Sequence, residues 1–201
     1  MCLDAPRSVP GRRVGVFGGT FDPPHVGHLV TAVNVRHALG LDEVLLVVAN
    51  RPWQKEHERA ITPAADRMAM VEAATQGVEG VRACALEIMR GGPSYTADTL
   101  AELRTTEPDV ALFTIVGDDA AASIESWERV DDVAALSTLV VVDRPGTPVR
   151  LPDRFAWVRV EVPRLEVSST DLRRRINDGR PLEFLVTDAV RRVIDQRRLY
   201  R

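Results

Sequence analysis

The segment Glu43-Val-Leu-Leu-Val-Val-Ala49 is aliphatic at nearly every position, and a strand that apolar must be covered on both faces. Such strands occur in parallel sheets with helices packed above and below. The preceding residues fit that frame. Arg13 to Phe17 is a short apolar run that stops at Gly18-Gly19, as a buried strand entering a tight turn does. Between the two runs, Val26 to Leu39 carries apolar residues at helical spacing, and Gly40 stands where a left-handed cap is expected.

The alternation continues along the chain. Thr62 followed by Pro63 reads as an N-cap and first-turn proline of a helix running to about Gln76. Strands are expected at Val81 to Leu86, Val110 to Val116, Thr138 to Val142 and, more weakly, Ala156 to Val160. Helices are expected at Ser94 to Thr105, in one or two pieces between Ala120 and Leu136, and at Thr170 to Asn177 and Asp188 to Gln196. The fold class is therefore α/β, a Rossmann-like, doubly wound and mainly parallel sheet with right-handed crossovers and a helical C-terminal part from 168 to 201. A length of 201 residues sets a prior of one domain, 13–201, preceded by a loose tail, 1–12, that has no apolar run suited to a signal or membrane helix.

Composition narrows the function. Lys and Arg total 26 against 29 Asp and Glu, a net charge of −3, which argues against wholesale binding of nucleic acid and requires any anion to be held locally. Lys55 is the single lysine. Cys2 and Cys84 show no CxxC spacing and no paired framework, which suggests a reducing, cytoplasmic setting, with Cys84 a small buried hydrophobe. No partner in a membrane is expected, and a homo-oligomer is left open.

In a doubly wound sheet the ligand lies beyond the carboxyl ends of the strands. The loop after the first strand reads Gly18-Gly-Thr-Phe-Asp-Pro-Pro-His-Val-Gly-His28. Its glycines let a ligand approach the backbone, its prolines stiffen the turn, and His25 and His28 share a face of the first helical turn. Exposed N–H groups and the positive end of the helix dipole favour an anion there, phosphate above all. Two histidines without a third ligand do not complete a zinc site, so no metal residues are assigned. Neither GxGxxG nor GxxxxGK[ST] is present.

A second cluster, Ser168-Ser-Thr-Asp-Leu-Arg-Arg-Arg175, places three hydroxyls at a helix start with Arg173 one turn beyond Thr170 on the same face. Taken alone it is an ordinary N-cap. Together with the first loop it can converge hydroxyls, N–H groups and a guanidinium on one polyphosphate. Arg174 and Arg175 point elsewhere around the helix. From Asp171 onward nine Arg stand against five acidic residues, a basic end inside an acidic chain.

The pair GTFDPPHVGH (Gly19 to His28) and SSTDLR (Ser168 to Arg173) resembles the HxGH and SSTxxR signatures of the nucleotidyltransferase superfamily. Gly91-Gly-Pro-Ser-Tyr-Thr-Ala-Asp-Thr-Leu100, Gly117-Asp-Asp119 with Trp127, Arg144-Pro-Gly146 and Leu199-Tyr-Arg201 extend the resemblance to the bacterial nicotinate mononucleotide adenylyltransferases, over nearly all of 13–201. It implies transfer of the adenylyl group of ATP to nicotinate mononucleotide. On that resemblance Gly18, Gly19, His25, His28, Ser168, Ser169, Thr170 and Arg173 bind ATP, with His25, His28 and Arg173 catalytic. Gly18, Thr20 and Phe21 meet the mononucleotide, Thr96 lies near the nicotinate carboxylate, Asp119 near a ribose, and Trp127 stacks on the pyridine ring. Trp53 and Lys55 are candidates to cover the site, and Arg144 follows a strand at the ligand end of the sheet. The chain departs from the family where Asp118 replaces a small residue, at Ala121 and Ile124, and where Thr187 replaces proline. Two adjacent carboxylates at 118 and 119 disfavour an anionic ring unless Asp118 turns to solvent.

The nucleophile in such a reaction is a phosphate oxygen, already ionised at neutral pH because its second pKa is near 6. No general base is needed, which suits a sequence without GxSxG or an evident Ser-His-Asp or Cys-His arrangement. Positioning and charge neutralisation then carry catalysis, with Mg²⁺ held mainly by the ATP phosphates. Two alternatives remain: a nucleotidyltransferase of the same superfamily acting with ATP or CTP on another phosphorylated or phosphonate acceptor, and a non-catalytic nucleotide sensor.

Overall fold

A computed structural model describes residues 11–52, 60–143, 150–163 and 165–201. Six strands form one sheet: β1 (Arg13–Gly19), β2 (Glu43–Val48), β3 (Val81–Cys84), β4 (Ala111–Gly117), β5 (Thr138–Asp143) and β6 (Trp157–Glu161). Their order is β3-β2-β1-β4-β5-β6 and every pairing is parallel, so the expected mainly parallel sheet is wholly parallel. The chain winds outward from β1 to one edge and from β4 to the other. The switch point, where ligands bind in this order of strands, falls between β1 and β4.

Alternation along the strands divides the core into two layers. Leu45 and Val47 of β2 face the layer containing Ala97, Leu100 and Leu103 of α4 (Thr96–Thr106) and Val130 and Val133 of α6 (Val130–Leu136). Val44, Leu46 and Val48 face the layer containing Ala32 and Val35 of α1 (Val26–Leu39) and Val71 of α2 (Ala64–Thr75). On the outer side of α2, Met70 and Ala74 receive Leu172 of α7 (Ser169–Asn177) and Val190 and Ile194 of α8 (Asp188–Arg197). Helix α2 thereby ties the C-terminal helices to the sheet. Among the described residues no helix is long and apolar enough to cross a membrane.

Several expectations shift on contact with the structure. β1 runs through Gly18 and Gly19 rather than stopping before them, and the turn falls later, with Phe21 at φ 51. α2 is capped at Pro63 without a side-chain bond, because Thr62 is drawn elsewhere: its N–H approaches Asp22 and its carbonyl accepts from Arg67. β3 ends at Cys84, and the chain turns at once into a short helix, α3 (Leu86–Arg90), not anticipated from so brief an apolar run. The segment after β4 splits into α5 (Asp118–Ala122), a 3-10 turn at Ile124–Ser126, and α6. Arg12 is held by Glu43 and Glu107 and does not belong to a loose tail. Cys84 is fully buried as expected, but it is not a free thiol. At the end of α1, Gly40 adopts φ 57, the left-handed cap its position required.

Candidate active site

The loop from Thr20 to Pro24 leaves β1 and delivers the chain to α1 with His25 as the N-cap residue. The N–H of His25 donates to His28 Nδ1 at 3.1 Å, and the N–H of His28 donates back to the His25 carbonyl at 2.9 Å. Because Nδ1 of His28 accepts, its ring hydrogen sits on Nε2 when the imidazole is neutral. The two rings stack with centroids 3.7 Å apart, and Phe21 packs edge-on against His28. Burial lowers the His25 pKa from 6.5 to about 4, so this ring is neutral near pH 7. Gly27 lies between them where a side chain would be crowded: a Cβ there would stand 3.0 Å from His25 Nδ1 and 3.1 Å from Val167 Cγ1.

Helix α7 brings the second motif to the same place. Ser168 caps it by accepting from the Asp171 N–H at 3.2 Å. Ser169 Oγ donates to the Pro23 carbonyl at 2.8 Å, so this hydroxyl fastens one motif to the other rather than standing open. Arg173 donates to the Asp22 carbonyl at 2.8 Å and to Thr170 Oγ1 at 3.2 Å. Arg175 is engaged by Asp171 on the far side of the helix, as the helical spacing requires.

Two adjoining cavities open here, sharing Gly18, Gly19, Thr20 and Ala120. The larger, about 750 Å³, is bordered by His25, His28, Ser168 to Thr170, Arg173, Asp118 and Asp119. The smaller, about 210 Å³, lies between β1 and the start of α4 and includes Ala49, Ser94, Tyr95, Thr96 and Trp127. Trp127 also packs on the core, and its indole Nε1 is buried with no hydrogen-bond partner among the described residues. The structure thus brings the HxGH and SSTxxR residues around one cleft, and Gly18, Thr20, Thr96 and Trp127 around its side pocket. Phe21 and Asp119 border the larger cavity instead.

Asp118 is half-buried on the cavity wall, where it accepts from the Asp119 N–H at 3.0 Å, while Asp119 is the more exposed. Asp118 is thus neither enclosed nor fully turned to solvent. Thr187 replaces a helix-starting proline with a hydroxyl cap, accepting from Val190 N–H at 3.3 Å. Ala121 and Ile124 are fully buried. Trp53, Lys55 and Arg144 lie outside the described residues.

Sequence reasoning missed three residues that shape the site. Asp22 is 1% exposed and accepts a hydrogen bond from Tyr200 at 2.7 Å. Arg67, also 1% exposed, bonds carbonyls of three loops. The signal for Arg67 was its place on the same helical stripe as Met70, Val71 and Ala74, an arginine where an aliphatic residue is expected.

The cytidylyltransferase-like family model matches residues 16–175. A Saccharopolyspora erythraea protein named "Probable nicotinate-nucleotide adenylyltransferase" is 44% identical over 193 residues, covering 94% of this chain and 90% of its own. A Streptomyces coelicolor protein of the same name is 46% identical over 188 residues, covering 92% and 99%. Among solved structures, Plasmodium falciparum nicotinic acid mononucleotide adenylyltransferase complexed with NaAD superposes with a TM-score of 0.76 at 17% identity, over 94% of this chain and 97% of that one; this likeness is one of fold. With relatives at such identity along nearly its whole length, the chain belongs to the cytidylyltransferase-like family and, within it, to the nicotinate-nucleotide adenylyltransferases.

Proposed function

We propose that the protein transfers the adenylyl group of ATP to the phosphate of nicotinate mononucleotide, giving nicotinate adenine dinucleotide and pyrophosphate in cytoplasmic NAD biosynthesis. The observation that carries this reading is the meeting of two helix N-termini, α1 with His25 and His28 and α7 with Ser168 to Arg173, over one cleft that continues into a smaller pocket. A cleft for a triphosphate with a side pocket for a phosphorylated acceptor is what a two-substrate transfer needs. The names of the relatives favour nicotinate mononucleotide as that acceptor.

In this mechanism ATP lies along Gly18, Gly19, His25, His28, Ser168, Ser169, Thr170 and Arg173. The mononucleotide meets Gly18, Thr20, Phe21, Thr96, Asp119 and Trp127, with Lys55 and Arg144 assigned from sequence alone. An acceptor phosphate oxygen attacks the α-phosphorus, the bond to the β-phosphate oxygen breaks, and pyrophosphate leaves. Negative charge grows on the bridging and α-phosphate oxygens. In this reading His28 Nε2–H, the guanidinium of Arg173 and the positive ends of the two helix dipoles meet it. His25 enters neutral and serves as a hydrogen-bonding group.

Among the described residues no three His, Cys, Asp or Glu side chains gather as a metal site. The groups bordering the cleft are imidazoles, hydroxyls and a guanidinium, with Asp118 and Asp119 on its wall, a set suited to a Mg²⁺ ion that arrives on the ATP phosphates and keeps its waters. When bound, that ion neutralises triphosphate charge.

A panel of ATP and CTP against nicotinate mononucleotide, phosphopantetheine and a phosphonate, followed by pyrophosphate release, tests the reading. Turnover is expected with ATP and nicotinate mononucleotide. Turnover with another pair instead moves the protein to a different acceptor, and ATP binding without release from any pair makes it a sensor.

A further inference from the structure

Arg67 is the largest fully buried side chain in the molecule's described part, and a buried guanidinium is costly unless its donors are satisfied. Its Nε donates to the Thr62 carbonyl at 2.8 Å, one terminal nitrogen to the Thr20 carbonyl at 2.9 Å, and the other to the Asn50 carbonyl at 3.0 Å. These carbonyls belong to the loop after β1, the loop after β2 and the lead into α2. The connection continues beyond Asn50. Its main-chain N–H donates to Ser94 Oγ at 2.8 Å, its side-chain amide donates to the Gly92 carbonyl at 2.9 Å, and the Ser94 N–H returns to the Arg51 carbonyl at 3.0 Å. Ser94 leads into Tyr95 and Thr96, which start α4 and form one wall of the 210 Å³ pocket; Thr20 is on the other.

We propose that Arg67 is the positioning residue of the acceptor pocket, setting the separation of its two walls by gripping Thr20 directly and the Ser94–Thr96 segment through Asn50. This rests on the assignment of the smaller pocket to the acceptor. Thr20 borders both cavities, but the ATP side has further anchors that do not pass through Arg67, with Ser169 on Pro23 and Arg173 on Asp22. Only a planar fork with several fixed N–H directions reaches three carbonyls at once, and a lysine ammonium does not reproduce it. The effect therefore falls on acceptor recognition before it falls on ATP.

The test uses Arg67→Lys, Asn50→Ala and Ser94→Ala in the full chain, each checked for folding by circular dichroism. Wild-type turnover of ATP with nicotinate mononucleotide is recorded first; its absence overturns the acceptor assignment and not the role of Arg67. With that turnover in hand, Arg67→Lys is expected to raise the acceptor KM about tenfold or more while the ATP KM stays within about twofold. Ser94→Ala and Asn50→Ala should shift the same constant in the same direction by a smaller factor. Amide exchange of residues 18–22 and 92–96, read independently of any substrate, should quicken in Arg67→Lys. Acceptor and ATP constants rising together, or an unshifted acceptor KM with unchanged exchange in both segments, would overturn the inference. Should Arg67→Lys fail to fold, unshifted acceptor KM values in the two milder variants would overturn it equally.

Discussion

Tyr200 and Asp22, 178 residues apart in the chain, are joined by a hydrogen bond of 2.7 Å from the tyrosine hydroxyl to the buried carboxylate. The same aspartate offers its main-chain carbonyl to Arg173. The end of the chain after α8 thus holds the loop whose carbonyl accepts from the Arg173 guanidinium. Arg198 and Tyr200 take left-handed backbone angles, φ 52 and 65, to aim the ring inward. Burial, reinforced by the Asp22 charge, raises the Tyr200 pKa well above its ordinary value, so the hydroxyl remains a donor throughout the working range.

Removing that hydroxyl in Tyr200→Phe deprives a buried carboxylate of a donor, at a cost of about 1–3 kcal/mol. For a chain of this size the melting temperature should fall by about 2–12 °C. The ATP KM should rise with it as the Asp22 carbonyl loosens its hold on Arg173. Thermal unfolding and steady-state kinetics check both, and an unchanged melting temperature would count against a structural bond here.

The partly buried His25 makes stability depend on pH. Its pKa is about 4 in the folded protein against 6.5 in the open chain, so the unfolded state binds more protons between those values. Stability from this group is complete above pH 6.5 and is lost as pH falls toward 4, by up to about 3 kcal/mol. Urea titrations at pH 7.0 and 5.0 should show the loss in the wild type and a smaller one in His25→Asn. Equal slopes in the two proteins would remove His25 as the cause.

Gly27→Ala sets two effects against each other. Alanine favours a helix by about 0.5–1 kcal/mol over glycine. The added methyl must push aside the His25 ring and Val167, at 3.0 and 3.1 Å, and overpacking costs about 1–3 kcal/mol. Turnover is expected to fall tenfold or more, since the displaced group is a proposed phosphate ligand, while the melting temperature falls by no more than about 10 °C. Full activity in this variant would show that the ring need not keep its stacked position.

Arg173→Lys keeps the charge but loses the fork that spans Asp22 and Thr170. The ATP KM should rise about tenfold with the acceptor KM little changed, the reverse of the pattern expected at Arg67. Isothermal titration with a non-hydrolysable ATP analogue measures the first directly.

Much of the fold was legible because its signals are local. The aliphatic run at 43–49 could only be an interior strand, Gly40 marked the end of α1, and the glycines and two histidines from the end of β1 onward marked a loop that borders the larger cavity. What escaped is what depends on distant partners. Thr62 has the chemistry of an N-cap, but Asp22 and Arg67 compete for its main chain and Pro63 takes the position. The bond of the Ser169 hydroxyl to the Pro23 carbonyl, which ties the two motifs together, has no local signal in the sequence. The helix α3 occupies only five residues, too few for a helical period to register. No spacing in the sequence could link Tyr200 to Asp22.

Following the α-phosphate tests adenylyl transfer from ATP to nicotinate mononucleotide most directly. With ATP labelled at the α-phosphorus, the purified protein, Mg²⁺ and nicotinate mononucleotide, the label should appear in nicotinate adenine dinucleotide with unlabelled pyrophosphate released in equal amount. Label remaining in ATP, or passing to free AMP without a dinucleotide, would contradict the account.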